Sequence, residues 1–189
     1  IIITHILFLP IIFTSSPLII KLFLIYLLVN ILYSLPPIRL KRIPILDSIS
    51  NGVICAAVGS IGYVIAGGTE LMFFAILAGG LWSVAMHIFS AIPDIKADKD
   101  SGIQTIATLL GKKWSLYTCL FIYLFISLIF VSNFYIYHSL LLIPYIILII
   151  ISLVKERRNK SIFTVYKTFP YVTYIIGYLV YLFTVLSKG

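Results

Sequence analysis

The chain has 189 residues, 61% of them hydrophobic, with a mean hydropathy of +1.14 and a formal net charge of +8. That balance belongs to one integral membrane domain whose solvent is mostly lipid, and the placement of the basic charge excludes a nucleic-acid partner. Two cysteines, Cys55 and Cys119, fall inside apolar runs and supply neither a disulfide framework nor zinc-ligand spacing.

Apolar runs cover about 1–13, 17–34, 47–67, 70–92, 114–131, 134–154 and 164–187. Most are near the ~20 residues that cross a bilayer core, so the expected fold is an all-α, multi-span transmembrane helix bundle. The first run is short and opens on Ile1, with no initiator Met and no charged n-region. It reads as a helix cut off at its start, not as a signal peptide, so the chain is expected to be a fragment of a longer protein.

The connectors alternate in character. Those around Ser15-Ser16-Pro17, Gly67-Gly68-Thr69 and Ser132-Asn133 are short and carry no Lys or Arg. Those at 35–46, 93–113 and 155–163 are longer and charged. Twelve of the fourteen Lys and Arg residues cluster in or beside them, and only Lys21 and Lys188 lie elsewhere. If each run crosses once, all three charged loops face one side, and the positive-inside rule makes that side the cytoplasm.

The first charged loop reads Tyr33-Ser34-Leu35-Pro36-Pro37-Ile38-Arg39-Leu40-Lys41-Arg42. Its Pro pair ends the preceding helix and fixes an extended stretch. Three cations and a tyrosyl hydroxyl follow, able either to take up the charge of a diphosphate or to rest on anionic lipid. In the next two runs small residues recur every four positions, as Gly52, Ala56 and Ser60 and as Ala75, Gly79 and Ser83. Such stripes let membrane helices approach closely and say nothing about chemistry.

The fourth run ends in a polar stripe, Ser83, His87, Ser90 and Asp94, at spacings of four, three and four. These line one helix face, and Pro93 is expected to break the run just before Asp94. His87 has two readings: a histidine bonded to a neighbouring side chain, or a contact to substrate. Beyond it lie Asp94, Asp98 and Asp100, three of the six acids in the chain within seven residues. On a helix Asp94 and Asp98 share a face, and two carboxylates so placed suit Mg²⁺, which completes its shell with water and substrate phosphate. Asp100 reads equally well as a solvated surface charge. A cation site and a basic, tyrosine-bearing loop above apolar walls fit a lipid diphosphate whose tail lies in the bilayer.

At these two loops the chain resembles the UbiA superfamily of intramembrane prenyltransferases. The segment Y-S-L-P-P-I-R-L-K at 33–41 is similar to its tyrosine–lysine loop, and D-I-K-A-D-K-D-S-G at 94–102 to its second Asp-rich motif, DxxxDxxxG. The resemblance implies a nine-helix fold with a central cavity, of which the seven runs would be the third to ninth helices. It also implies Mg²⁺-dependent transfer of a prenyl group from a prenyl diphosphate to a hydrophobic acceptor: a carotenoid, a quinone precursor or a lipid. Asp94 and Asp98 would hold the Mg²⁺-diphosphate, Tyr33 and Lys41 would match the other loop, and Arg39, His87 and Ser90 would help to bind substrate. The family's first Asp-rich motif, of the NxxxDxxxD type, has no counterpart here. The stretch 87–111 is similar to the lycopene elongase branch, through the run I-Q-T-I-A-T after Gly102. Two other readings stand beside this one. A transporter relaying ions through His87 and Asp94 would call for an inverted repeat or deeper acids, neither of which the sequence offers. A non-catalytic bundle is favoured only by the missing motif.

Overall fold

The structure, a computed structural model, describes residues 16–134 and 137–186, with the backbone alone at 137, 181 and 183–186. The run expected at 1–13 lies outside the described residues. The helices are α1 (Pro17–Ser34), α2 (Leu46–Ile65), α3 (Phe73–Ala91), α4 (Ile95–Asp100), α5 (Ile106–Asn133), α6 (Tyr137–Leu140), α7 (Ile143–Arg157) and α8 (Phe163–Leu186), with a 3₁₀ turn at Leu40–Arg42. No strand occurs among the described residues. Among the described residues five stretches are long and apolar enough to cross a membrane: α1, α2, α3, α5 and His138–Arg157. This is an all-α, multi-span bundle.

Local chemistry sets the helix ends. Ser16 caps α1, its hydroxyl accepting from the Ile19 N–H, and Pro17 occupies the first turn, where a missing N–H costs nothing. Thr105 and Thr108 cap α5 reciprocally, each side chain accepting from the other's backbone N–H. Gly111 interrupts α5 at φ +74°, a conformation that an L side chain adopts only under strain.

Hydropathy alone misplaces several boundaries. The stretch 93–113, expected as one long loop, contains α4 and the start of α5, because the Thr105–Thr108 cap starts a helix before the apolar run does. The run expected at 134–154 is broken into α6 and α7, and α7 continues through Lys155 to Arg157.

Packing concentrates between α3, α5, α7 and α8. Ile88, Phe89, Ile92, Leu116, Cys119, Tyr123 and Ile149 are fully buried there. Cys119 is a packing residue, its thiol donating to the Ala85 carbonyl at 3.3 Å. Outward-facing Leu24, Leu28, Phe121, Leu128 and Tyr174 are exposed, as a lipid-facing surface requires.

The α2–α3 contact depends on small residues. A Cβ at Gly52 would stand 2.7 Å from the Val84 side chain and 2.9 Å from the Gly80 carbonyl oxygen. Gly79 meets nothing; its row instead faces a crevice of about 250 Å³ lined by Cys55, Ala56, Ser60, Tyr63 and Ala75. The close crossing is therefore Gly52 on Gly80, one position away from the Ala75–Gly79–Ser83 stripe.

The charged connectors gather at one end. The Arg42 guanidinium reaches the Gly102 carbonyl at 3.5 Å, joining the first and second. Arg157 donates to the Tyr117 hydroxyl at 3.2 Å, joining the third to the start of α5.

Candidate active site

Asp94 is the N-cap of α4, and the Asp98 N–H donates to the Asp94 carbonyl at 2.8 Å. The two carboxylates thus stand one helical turn apart at the end of α3, which closes at Ala91 just before Pro93. Asp94 and Asp100 are exposed and Asp98 is half-buried. Partial burial pushes the Asp98 carboxyl above the usual carboxylate range, and the negative charges of Asp94 and Asp47 push it further the same way. Two carboxylates one turn apart also attract a dication. Among the described residues no group of three or more His, Cys, Asp or Glu side chains converges on a metal-sized point. The pair fits Mg²⁺, which commonly takes one or two carboxylates and completes its shell from water and phosphate.

The basic loop stands beside this turn. Arg39 holds a left-handed conformation at φ +45°, and its buried Nε has no hydrogen-bond partner. That leaves a buried charged donor unsatisfied. Lys41 lies in the 3₁₀ turn, half-buried, and Tyr33 sits in the last turn of α1, also half-buried. Asp47, six residues past Lys41, carries a charge felt at both the Tyr33 hydroxyl and Asp98.

Asp47 is the feature that sequence reasoning missed. It is fully buried in the first turn of α2, and its Oδ2 accepts from the Ile106 backbone N–H at 3.2 Å. The same oxygen lies 3.8 Å from Nε2 of His87. On its other side, Nδ1 of His87 lies 3.2 Å from Nδ2 of Asn51, while Oδ1 of Asn51 accepts the Ser83 hydroxyl at 2.8 Å. One ring nitrogen of His87 thus has Asn51 within hydrogen-bond distance and the other faces the Asp47 carboxylate beyond it, closest to the first of its two sequence readings. Its side chain keeps 19% exposure, so one edge of the ring remains open. The signal was present: Asp47 is one of six acids, placed at the edge of an apolar run with Asn51 one turn on.

Ser90 spends its hydroxyl on the His87 carbonyl at 2.8 Å and lines an apolar crevice of about 430 Å³ between α3 and α8. Met86, Phe89, Tyr166, Phe169, Pro170, Thr173 and Tyr174 complete its walls. A second crevice of about 260 Å³ shares Thr173 and continues past Trp82 and Tyr145 toward Leu141.

Residues 1–183 match the UbiA prenyltransferase family. The chain belongs to that family. It is 40% identical over 120 residues to a lycopene elongase/hydratase of Haloarcula japonica, covering 64% of this chain and 40% of that protein. It is 37% identical over 145 residues to a lycopene elongase/hydratase of Halobacterium salinarum, covering 77% of this chain and 51% of that one. The chain therefore spans about half the length of the curated relatives it matches. Its fold is similar to that of a UbiA homolog from Archaeoglobus fulgidus solved with Cd²⁺ bound. The TM-score is 0.63 at 20% identity, over 85% of this chain and 62% of that one. The resemblance to the carotenoid branch, drawn from residues 87–111, agrees with these relatives.

Proposed function

We propose that this chain carries part of the active site of a membrane prenyltransferase that moves a prenyl group from a prenyl diphosphate to a carotenoid such as lycopene. The observation that carries this reading is the Asp94–Asp98 turn, four residues along the chain from Ser90, which lines the 430 Å³ apolar crevice. A charged headgroup at the turn and an apolar chain in the crevice would be bound by opposite chemistries on neighbouring segments of the chain. Relatives named lycopene elongase/hydratase support the carotenoid as acceptor.

Asp94 and Asp98 would hold Mg²⁺, and a bound Mg²⁺ supplies positive charge to the oxygens of the leaving diphosphate. Lys41 and the partnerless Nε of Arg39 donate to the same diphosphate, and the Tyr33 hydroxyl orients it. In the reaction the C–O bond of the prenyl diphosphate breaks, a C–C bond to the acceptor forms, and the acceptor carbon gives up a proton. The apolar walls around Phe89, Phe169 and Tyr166 keep water from the allylic cation, and their ring faces stabilise its charge. His87 and Ser90 border the acceptor from α3. The Arg42 and Lys41 end faces the cytoplasm by the positive-inside rule.

The test uses the intact protein in vesicles, with Mg²⁺, lycopene in the bilayer and prenyl diphosphates of increasing length supplied on one side at a time. Elongated carotenoid is expected only with diphosphate on the side of the three charged loops. Turnover of a quinone precursor or a lipid with lycopene untouched would overturn the acceptor assignment.

A further inference from the structure

Among the described residues Asp47 is the only charged side chain that is fully buried, and the proposed chemistry does not use it. A carboxylate out of water is costly unless its surroundings compensate, and here the compensation is incomplete. Oδ2 takes the Ile106 N–H, whereas Oδ1 has no hydrogen-bond partner, although Ser48 lies beside the carboxylate. A hydrophobic residue would fill the position more cheaply, so the carboxylate is kept for what it joins.

It joins three elements. Asp47 ends the segment that carries Lys41 and Arg42. Ile106 is the first residue of α5, immediately after the segment that carries Asp94 and Asp98. His87 stands on the face of α3 that leads to Ser90 and Asp94. The histidine is itself oriented: with Oδ1 of Asn51 receiving the Ser83 hydroxyl, its Nδ2 donates to Nδ1 of His87, which puts the ring proton on Nε2 facing Asp47. Asp47 and Asn51, like Ser83 and His87, are four apart, so two helix faces meet rung by rung, and the Gly52–Gly80 crossing lets them come that close. The basic loop is under strain between its ties, with Arg39 at φ +45° and Ile45 at φ +74°. Such conformations persist only where the surroundings over-determine them.

We propose that Asp47 is a positioning residue: its buried carboxylate fastens the Tyr33–Lys41 loop to the start of α5 and to His87, and so fixes where Asp94 and Asp98 stand relative to Tyr33 and Lys41. This role rests on the reading of Asp94 and Asp98 as cation ligands.

The experiment measures Mn²⁺ affinity by electron paramagnetic resonance, together with the KM for prenyl diphosphate, in the intact protein. Three variants are compared with wild type: Asp47→Ala, Asp47→Asn and Ile106→Pro. The last removes the donor N–H and replaces a side chain packed on the core with the smaller proline ring. Proline suits the first position of a helix, and Thr105 before it already has the extended backbone that proline requires. Asp47→Ala and Ile106→Pro are each expected to weaken Mn²⁺ binding by about 10- to 100-fold, the usual range for a partner one step removed from the metal. Asp47→Asn, which retains an acceptor for Ile106, recovers most of that loss. Should Asp47→Ala fail to fold, Ile106→Pro decides alone. A folded Ile106→Pro protein with wild-type Mn²⁺ affinity and KM overturns the proposal. So does an Asp47→Ala protein that loses only melting temperature. An Asp98→Asn control separates the two readings: if it leaves Mn²⁺ binding intact, the cation-ligand reading fails on its own account.

Discussion

Asp98 feels two negative neighbours, Asp94 one turn earlier and Asp47 behind the loop, and both raise its proton affinity. The sign of the pH dependence follows. Because its pKa is raised in the folded chain, Asp98 favours the folded state at low pH, and that contribution is lost as pH rises through the raised value. A divalent cation competes with the same proton, so its affinity falls as pH is lowered, beginning above the ordinary aspartate value of 3.8. Calorimetric titration with Mg²⁺ across pH is expected to show that early loss; a profile following an unperturbed carboxylate would contradict it. At this scale the sequence was partly legible. The spacing of Asp94 and Asp98 pointed to one helical turn, and the backbone bond between them has that form. Asp47 stood out as a rare acid, but its partner was hidden: it is the backbone N–H of Ile106, 59 residues away, and a backbone donor leaves no mark in a sequence.

Among the elements, the α2–α3 crossing is the contact most sensitive to a single atom. A Cβ at Gly52 would press on the Gly80 carbonyl oxygen, a backbone atom that cannot rotate aside. Gly52→Ala is expected to force the helices apart at a cost of about 1–3 kcal/mol. Gly79→Ala, with open space around its Cβ, is expected to be neutral or to stabilise by up to ~1 kcal/mol through helix propensity. Melting both variants in detergent separates the cases, and equal effects would contradict the crossing described. The small-residue stripes announced a close approach, but not its register: Gly79 and Gly80 are adjacent, and four-residue spacing cannot choose between them. The hydropathy pattern likewise located the long helices and missed α4, whose sequence Ile-Lys-Ala-Asp-Lys-Asp is too polar to read as a span and too short to show a period.

Over the whole molecule, the bundle brings three chain-distant connectors to one end, tied by Arg42 to Gly102 and by Arg157 to Tyr117. Loop charge alone pointed to that gathering, because basic loops separated by pairs of spans must return to one side. What no local pattern could supply were the two crevices, one lined by Ser90 and the other by Leu141, since they depend on how α8 packs against α3 and α7. The central claim is that the Asp94–Asp98 turn binds the cation and diphosphate of a prenyl donor. Its most direct test is diphosphate release by the intact protein with Mg²⁺, a prenyl diphosphate and lycopene, comparing wild type with Asp94→Asn and Asp98→Asn. Both variants are expected to lose at least about 100-fold in rate, the scale of removing one charge-stabilising group, while folding in normal yield. Near-wild-type release in both would contradict the account.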